Sequence, residues 1–185
     1  ILKKLFFFLI DRKILKKAWK VVFLGKSEFD YIDRLVSDIN KVIIHNGQDP
    51  NNMEYEFKKI TNDQDFVFGF MGRLDIYHKG LDKLLHGFFN YRKNGGKGLL
   101  WIIGDGPDRK SLEKMTDSLN LSNAVVFWGQ KQGSVKFNLL ANMDVFVHTS
   151  RFEGFPMALL EACALNKPIL ISKETNFSDF VEIYS

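Results

Sequence analysis

The sequence predicts an α/β protein in which a parallel β-sheet carries helices on both faces. From residue 66 onward, five short apolar stretches alternate with stretches in which apolar residues recur at helical spacing. An alternation of this kind favours a parallel sheet, whose crossover connections are right-handed. An apolar fraction of 45% in 185 residues fits one good core together with a piece of another domain.

The first 46 residues predict a separate segment. Residues 2–20 have a helical pattern, with basic side chains on one face and apolar side chains on another. A strand at Val21–Leu24, a helix at Ser27–Ser37 and a strand at Lys41–His45 are predicted to follow. The basic helix suits an anionic membrane surface, and the alternative is that its charges form the solvated face of an ordinary core helix.

A polar stretch separates this segment from the main sheet. Asn46-Gly47 predicts a turn, because both residues tolerate a positive φ. From Asp49 to Asp65 the chain is rich in Asn, Gln and charged residues and contains one Pro. This composition predicts a connector that holds one irregular helical piece.

The main sheet is predicted from its apolar runs, and the first of them is continuously apolar, as in a strand that is buried on both faces. The predicted strands are Phe66–Met71, Leu99–Ile103, Val125–Trp128, Asp144–His148 and Pro168–Ile171. Gly72 to Gly80 is predicted to be a loop. Helical spacing predicts helices around Leu81–Phe89, Leu112–Leu119, Ser134–Asn142, Met157–Leu165 and Phe177–Ile183.

Two carboxylates flank the start of one of these helices. Residues 153–156, Glu-Gly-Phe-Pro, end a loop, and Pro is favoured in a first helical turn. Met157–Leu165 contains eight apolar residues and one charge, Glu161, which predicts a buried helix and a carboxylate that needs partners. The free N–H groups of a helix start attract an anion. These residues suit the hydroxyl groups and the phosphate of a nucleotide-sugar; alternatively, Glu161 meets a core Arg and Glu153 is merely solvated.

Glu153-Gly154-Phe155-Pro156, with Glu161 eight positions after Glu153 and Ala-Cys-Ala-Leu-Asn-Lys-Pro behind it, resembles the E-x7-E motif of retaining glycosyltransferases of family 4. These group 1 glycosyltransferases are nucleotide-sugar enzymes with two Rossmann-like domains, the GT-B fold. The resemblance implies that residues 66–185 are the C-terminal donor-binding domain, truncated at its end. It also implies that residues 1–46 are the tail of an incomplete N-terminal acceptor domain of Rossmann-like fold, and that residues 47–65 connect the two.

Other segments resemble the same family. Gly72-Arg73-Leu74 and Lys79-Gly80-Leu81 match its phosphate-binding pair, although an isolated Arg and Lys would otherwise be surface cations. Residues 104–107, Gly-Asp-Gly-Pro, match its Gly-x-Gly-Pro segment, and residues 45–49 resemble the segment at which the domains meet. Ligands of open parallel sheets bind beyond the carboxyl ends of the strands, where these segments meet.

The resemblance implies a role for each matched residue. Arg73 and Lys79 would neutralise the diphosphate, Glu153 would hold sugar hydroxyls, and Glu161 would hold ribose hydroxyls. The implied catalytic residues are Glu153, Arg73 and Lys79. The implied donor-binding residues are Arg73, Lys79, Gly104, Asp105, Trp128, Glu153, Gly154, Phe155, Pro156 and Glu161.

The implied reaction transfers a hexose from a nucleoside-diphosphate sugar, UDP- or GDP-linked, to a hydroxyl of a saccharide or lipid-linked acceptor, with retention. Neither a metal nor a cofactor is expected. One rival hypothesis is a nucleotide-sugar-binding module without catalysis. The other is a membrane-docking protein that uses residues 1–20.

Charge distribution and cysteine content indicate which partners and which compartment to expect. Residues 1–26 hold eight of the 26 Lys and Arg residues and one of the 22 acidic residues, so the net charge of +4 comes from this stretch. The rest has no basic stripe for nucleic acid. Cys163 is the sole cysteine, and with His148 it is expected to serve packing. A reducing cytoplasm, or the inner face of its membrane, is the expected location.

Overall fold

Two separate parallel sheets organise the chain. The computed structural model describes residues 6–60, 62, 65–175 and 177. The first sheet has two strands, and the second has five. The sequence-based prediction of an α/β fold with a parallel sheet and helices on both faces is confirmed.

The N-terminal helix is shorter than predicted. A π-helical turn at Phe7–Asp11 leads into helix α1 (Arg12–Lys17), and Ala18 already has an extended backbone with ψ of 134°. The prediction that the helix reaches residue 20 is therefore wrong, because the chain must extend to enter the first strand. The predicted positions 2–5 lie outside the described residues.

Several apolar side chains of this segment are exposed, with Phe8 at 55% and Ile14 at 61%. Contact of residues 1–20 with a membrane surface stays a prediction. Among the residues that the structure describes, no helix is both long and apolar enough to cross a membrane.

A small β-α-β unit follows. Strand β1 (Val21–Phe23) pairs in parallel with strand β2 (Lys41–Ile43), and helix α2 (Lys26–Leu35) connects them. These elements agree with the sequence-based predictions to within two residues at each end. In the connector, a 3₁₀ turn at Pro50–Asn52 is the predicted irregular helical piece.

The predicted turn at Asn46-Gly47 is wrong. Neither residue has a positive φ, and neither lies in a turn. The side-chain amide of Asn46 instead donates a hydrogen bond to the carbonyl oxygen of Phe155, at 2.9 Å. The Asn therefore holds a distant loop, which its turn propensity cannot reveal.

The main sheet is entirely parallel and has the order β5-β4-β3-β6-β7. Its strands are β3 (Val67–Met71), β4 (Leu99–Ile103), β5 (Val125–Gly129), β6 (Val145–His148) and β7 (Ile169–Ile171). The order runs outward from β3 to β5 and then returns to place β6 on the other side of β3. The carboxyl ends of β3 and β6 therefore border the switch point at which open α/β sheets bind ligands.

Alternate strand residues point into two cores on opposite faces of the sheet. Helices α4 (Leu81–Lys93) and α5 (Arg109–Ser118) contribute to one core. Helices α6 (Gly133–Ala141) and α7 (Met157–Ala164) contribute to the other. Each face is thus covered by two helices, as the fold class requires.

The loop predicted at Gly72 to Gly80 contains a one-turn helix, α3 (Ile76–Lys79). Asp75 caps its start by accepting the backbone N–H of His78 at 2.9 Å, and Gly80 ends it with a left-handed φ of 62°. The prediction of a continuous loop is therefore wrong. The cap and the glycine set the position of Lys79 at the end of the turn.

Helix α7 is buried on one face only, although its composition predicts burial all round. Leu159, Glu161 and Ala162 are buried, whereas Met157 is 42% exposed. The helix lies in the outer layer, so only one side of it can pack on the sheet. The helix predicted at Phe177–Ile183 lies outside the described residues, except for Phe177 itself.

Candidate functional site

The loops at the carboxyl ends of β3, β4 and β5 are joined by backbone hydrogen bonds. The N–H of Gly72 donates to Ile103 O at 3.0 Å, and the N–H of Gly104 donates to Gly129 O at 2.9 Å. Gly104 has φ of 134°, and a Cβ there would collide with the carbonyl group of Gly72. The predicted Gly-Asp-Gly-Pro segment therefore forms a wall against the loop that carries Arg73 and Lys79.

Lys79 and Glu153 meet at the switch point between β3 and β6. Their side chains form an ion pair and are only 20% and 18% exposed. Lys79 is placed by helix α3 after β3, and Glu153 by the loop after β6. The structure therefore brings together two residues that lie 74 positions apart in the sequence, on the rim where ligand binding is expected.

The contacts of the Glu153 carboxylate all involve one of its two oxygens. Lys79 Nζ, Ser150 Oγ at 3.3 Å and His148 Nε2 at 3.4 Å each approach Oε2. In the described part of the chain, Oε1 has no hydrogen-bond or ion-pair partner. The arrangement therefore fixes the carboxylate at one oxygen and leaves the other for a hydroxyl group.

The surroundings keep Glu153 ionised. Burial by itself raises the pKa of Glu153, but hydrogen bonds from His148 and Lys79 and the positive charge of Lys79 outweigh burial. Together they lower the pKa of Glu153 from an ordinary 4.5 to about 2. An anion at this position accepts hydroxyl hydrogen bonds strongly.

This pKa shift predicts a pH dependence of stability. Because the pKa is lower in the folded chain, Glu153 stabilises the fold fully above pH 4.5, and the stabilisation is lost as the pH falls towards 2. We expect the unfolding free energy of wild type to exceed that of Glu153→Gln near neutral pH, with a gap that closes across this window. Urea unfolding of both proteins at several pH values measures the gap, and a gap that does not change with pH would contradict the assignment.

Arg73 lies on the same rim and is exposed. Its side chain forms neither a hydrogen bond nor an ion pair with any residue that the structure describes. A guanidinium group offers a planar fork of donors that matches phosphate oxygens. Arg73 therefore has its donors available for a ligand, whereas Lys79 already contacts Glu153.

The Gly154-Phe155-Pro156 loop is held by the N-terminal segment. The His45 ring stacks on Phe155 with ring centres 4.7 Å apart, and Asn46 holds the Phe155 carbonyl group. A Cβ on Gly154 would lie 2.9 Å from Glu28 Oε1, so glycine permits this close approach. Gly154, Phe155 and Pro156 are site residues predicted from the sequence, whereas these contacts, which connect positions more than 100 residues apart, were not predicted.

A pocket of about 360 Å³ opens beside Glu153. Its lining comes from helix α2, from the loop after β6 and from the segment after β7. The lining residues are Ser27, Glu28, Phe152, Glu153, Gly154 and Glu174. The pocket therefore lies where the two-stranded sheet segment meets the main domain.

Glu161 has a lysine partner. Lys136 Nζ on α6 lies 2.7 Å from Glu161 Oε1, and the two side chains are 22% and 11% exposed. The ammonium group also lies 4.4 Å from the centre of the Phe137 ring. The expectation that the buried carboxylate needs a partner is confirmed, but the partner is Lys136 and not the core Arg of the alternative hypothesis.

Trp128 lines a different cavity from the one beside Glu153. Its indole packs edge-on against Trp101, with ring centres 5.1 Å apart, and the cavity lies between the connector and α6. Its Nε1 is buried without a hydrogen-bond partner in the described part of the chain. A donor-binding role for Trp128 stays a prediction.

Two further observations bear on the chemistry. Within residues 6–60 and 65–175, no group of three His, Cys, Asp or Glu side chains is placed to hold a metal ion. Burial raises the pKa of the Cys163 thiol, which disfavours the nucleophilic thiolate.

The family model described as "Glycosyl transferases group 1" matches residues 51–184. An uncharacterized glycosyltransferase of Methanocaldococcus jannaschii is 33% identical over 118 residues, which are 64% of this chain and 28% of that protein. The capsular polysaccharide biosynthesis glycosyltransferase CapM of Staphylococcus aureus is 32% identical over 72% of this chain and 34% of its own length. The chain therefore spans about a third of the length of these curated relatives.

Solved structures show the same fold. Sucrose-phosphate synthase from Thermosynechococcus elongatus has a TM-score of 0.80 at 21% identity, over 94% of this chain and 45% of that one. Anabaena HepE in complex with UDP-glucose has a TM-score of 0.74 at 21% identity, over 92% of this chain and 49% of that one.

Proposed function

The chain belongs to the group 1 glycosyltransferases, a family of the retaining type with the GT-B fold, and on that premise we propose that it binds the nucleotide-sugar donor. In this proposal residues 66–185 form the donor-binding domain. Residues 1–46 belong to the acceptor domain, and residues 47–65 connect the two.

The Lys79–Glu153 pair at the switch point is the observation that carries the proposal. A nucleoside-diphosphate sugar has adjoining anionic and hydroxylated parts, and this pair presents a cation and a hydroxyl acceptor side by side. An ammonium group has three donors, so Lys79 can contact a phosphate oxygen and still hold Glu153. The exposed Arg73 supplies a second cation for the diphosphate.

The remaining residues take complementary roles in this proposal. The free Oε1 of Glu153 accepts a sugar hydroxyl, and Glu161 accepts the ribose hydroxyls. Gly104 and Asp105 shape the wall beside the phosphates, and Trp128 borders the nucleobase. Arg73 and Lys79 stabilise the charge that develops on the departing diphosphate, which is the largest contribution in many transfer reactions.

For the whole protein we propose transfer of a hexose, with retention, to a saccharide or lipid-linked acceptor in polysaccharide or glycolipid synthesis. The similarity to a capsular polysaccharide glycosyltransferase supports this acceptor class. The similarity to a lipopolysaccharide 1,6-galactosyltransferase of Salmonella typhimurium, 31% identical over 60% of this chain and 31% of that protein, supports it as well.

A thermal-shift screen of the chain with UDP-, GDP- and ADP-sugars tests donor binding. A ligand at about 100 times its dissociation constant adds about 2.7 kcal/mol of stability, which raises the melting temperature by several degrees. We expect one nucleotide class to give this rise, and the matching free sugar and nucleoside to give none at equal concentration. No rise with any nucleotide-sugar or nucleoside diphosphate, up to millimolar concentrations, would contradict the proposal.

A further inference from the structure

His148 is a buried imidazole at the carboxyl end of β6, with a side chain that is 2% exposed. Its ring is nearly parallel to those of Phe70 and Phe146, each with its centre 6.3 Å away. Its Nδ1 is buried and has no hydrogen-bond partner among the residues described. All of its polar contacts therefore involve Nε2.

Nε2 faces Ser150 and Glu153. It lies 3.0 Å from Ser150 Oγ, which in turn lies 3.3 Å from Glu153 Oε2. An ionised carboxylate only accepts hydrogen bonds, so the Ser150 hydroxyl donates to Glu153 and accepts from Nε2–H. A proton on Nδ1 would be buried without an acceptor, which disfavours the other neutral tautomer.

A Ser, His and Glu in contact also raise the question of a hydrolytic site. In such a site the imidazole lies between the hydroxyl and the carboxylate, and the hydroxyl is open to substrate. Here the hydroxyl and the carboxylate both approach the same ring nitrogen, Nε2, and Ser150 is fully buried. The cluster cannot present a nucleophile to a substrate, and its contacts converge on Glu153 Oε2.

We propose that His148 is a positioning residue for Glu153, acting through the Ser150 hydroxyl and through the direct approach of Nε2 to Glu153 Oε2 at 3.4 Å. The chain from Nε2–H to Ser150 and on to Glu153 Oε2 fixes the carboxylate so that Oε1 faces the donor sugar. These hydrogen bonds remain intact when Lys79 contacts a diphosphate, because neither His148 nor Ser150 forms a hydrogen bond with Lys79 Nζ. This inference rests on the proposed donor-binding function. It adds that His148 is needed for binding the sugar part of the donor and not for binding its nucleotide part.

The test compares a nucleotide-sugar with its nucleotide. Titration calorimetry of the whole chain measures the affinities of UDP-glucose, UDP, GDP-mannose and GDP for wild type and His148→Leu. Leu keeps an apolar side chain beside the two Phe rings and removes the donor. We expect His148→Leu to lower the affinity for the sugar-linked ligand about tenfold relative to its nucleotide, and to leave nucleotide affinity unchanged.

Companion variants separate positioning from packing. His148→Gln, whose amide can donate from the place of Nε2, is expected to restore most of the loss, and Ser150→Ala is expected to reproduce it. His86→Gln on the exposed side of α4 should change neither affinity. An equal fall for the sugar-linked ligand and the nucleotide, or no fall for either, would overturn the positioning role.

A measurement without ligand tests the hydrogen-bond direction independently of donor binding. A long-range ¹H–¹⁵N correlation spectrum of wild type near pH 7.5 should show the His148 ring protonated at Nε2 alone, with the signal assigned by its loss in His148→Gln. A proton on Nδ1 would contradict this inference and leave the proposed function standing. If the ring has the expected tautomer but wild type binds none of the four ligands, the donor-binding proposal fails and the positioning role fails with it.

Discussion

Replacement of Lys136 by Met is expected to lower the unfolding free energy of the chain by about 3 kcal/mol. Lys136 is the cation that compensates the Glu161 carboxylate at 2.7 Å, and Glu161 is only 11% exposed. Met preserves much of the length and apolar volume of Lys but leaves the carboxylate without its partner. Removal of one member of a buried ion pair costs about 3–5 kcal/mol, because the remaining charge stays desolvated. We take the lower limit because Lys136 is 22% exposed.

A double-mutant cycle isolates the interaction. Glu161→Gln alone should also destabilise the chain, whereas Lys136→Met combined with Glu161→Gln should recover most of the loss, since no unpaired charge remains. Lys110→Met, at an exposed position of α5, is the control and should change stability by less than about 0.5 kcal/mol. Urea unfolding monitored by circular dichroism gives all four values. If Lys136→Met costs no more than Lys110→Met, Glu161 does not depend on this partner.

The strand and helix order of the main domain could be predicted because it depends on local patterns. Each strand is a short apolar run between turn residues, and each helix has apolar residues at helical spacing. Asn166 follows α7 with φ of 54°, a left-handed helix end that Asn tolerates. Lys79 and Glu153 could be placed on one rim because parallel strands present their carboxyl ends at the same edge.

The contacts that hold the site could not be predicted in the same way. Lys136 on α6 contacts Glu161 on α7, and Asn46, in the segment after β2, contacts the Phe155 carbonyl group. Tertiary packing sets these pairs, and neither member carries a local pattern that indicates its partner. Helix α3 differs from these contacts, because it was missed although local sequence signals indicate it. Asp75 is an ordinary helix-start residue and Gly80 an ordinary helix-stop residue, one at each end of the single turn.

His148 shows why residue type alone was insufficient to predict the contact with Glu153. A histidine at the end of an apolar strand predicts packing, and its ring does lie nearly parallel to those of Phe70 and Phe146. The two-residue spacing to Ser150 also places both side chains on the same side of the chain, where they meet Glu153. A polar residue repeated at strand period beside a predicted site residue is the pattern that could have indicated this contact.

Lys79→Ala is expected to weaken nucleoside diphosphate binding by about 1.5–3 kcal/mol, the range for a hydrogen bond to a charged group. The change removes a cation from the phosphate position and leaves Glu153 Oε2 without its lysine, so an anion meets added repulsion as well. Arg73→Ala is expected to weaken binding by a similar amount. Lys97→Ala is the matched control, because Lys97 is exposed and precedes β4 at the opposite edge of the sheet.

Titration calorimetry of UDP and GDP against wild type, Lys79→Ala, Arg73→Ala and Lys97→Ala is the most direct test of diphosphate binding at the switch point. We expect one of the two nucleotides to bind wild type and Lys97→Ala equally. We expect its affinity to fall about 10- to 150-fold in the Lys79 and Arg73 variants, which is the same free-energy range expressed as affinity. Equal affinity in all four proteins, or no binding of either nucleotide to wild type, would contradict diphosphate binding by Lys79 and Arg73.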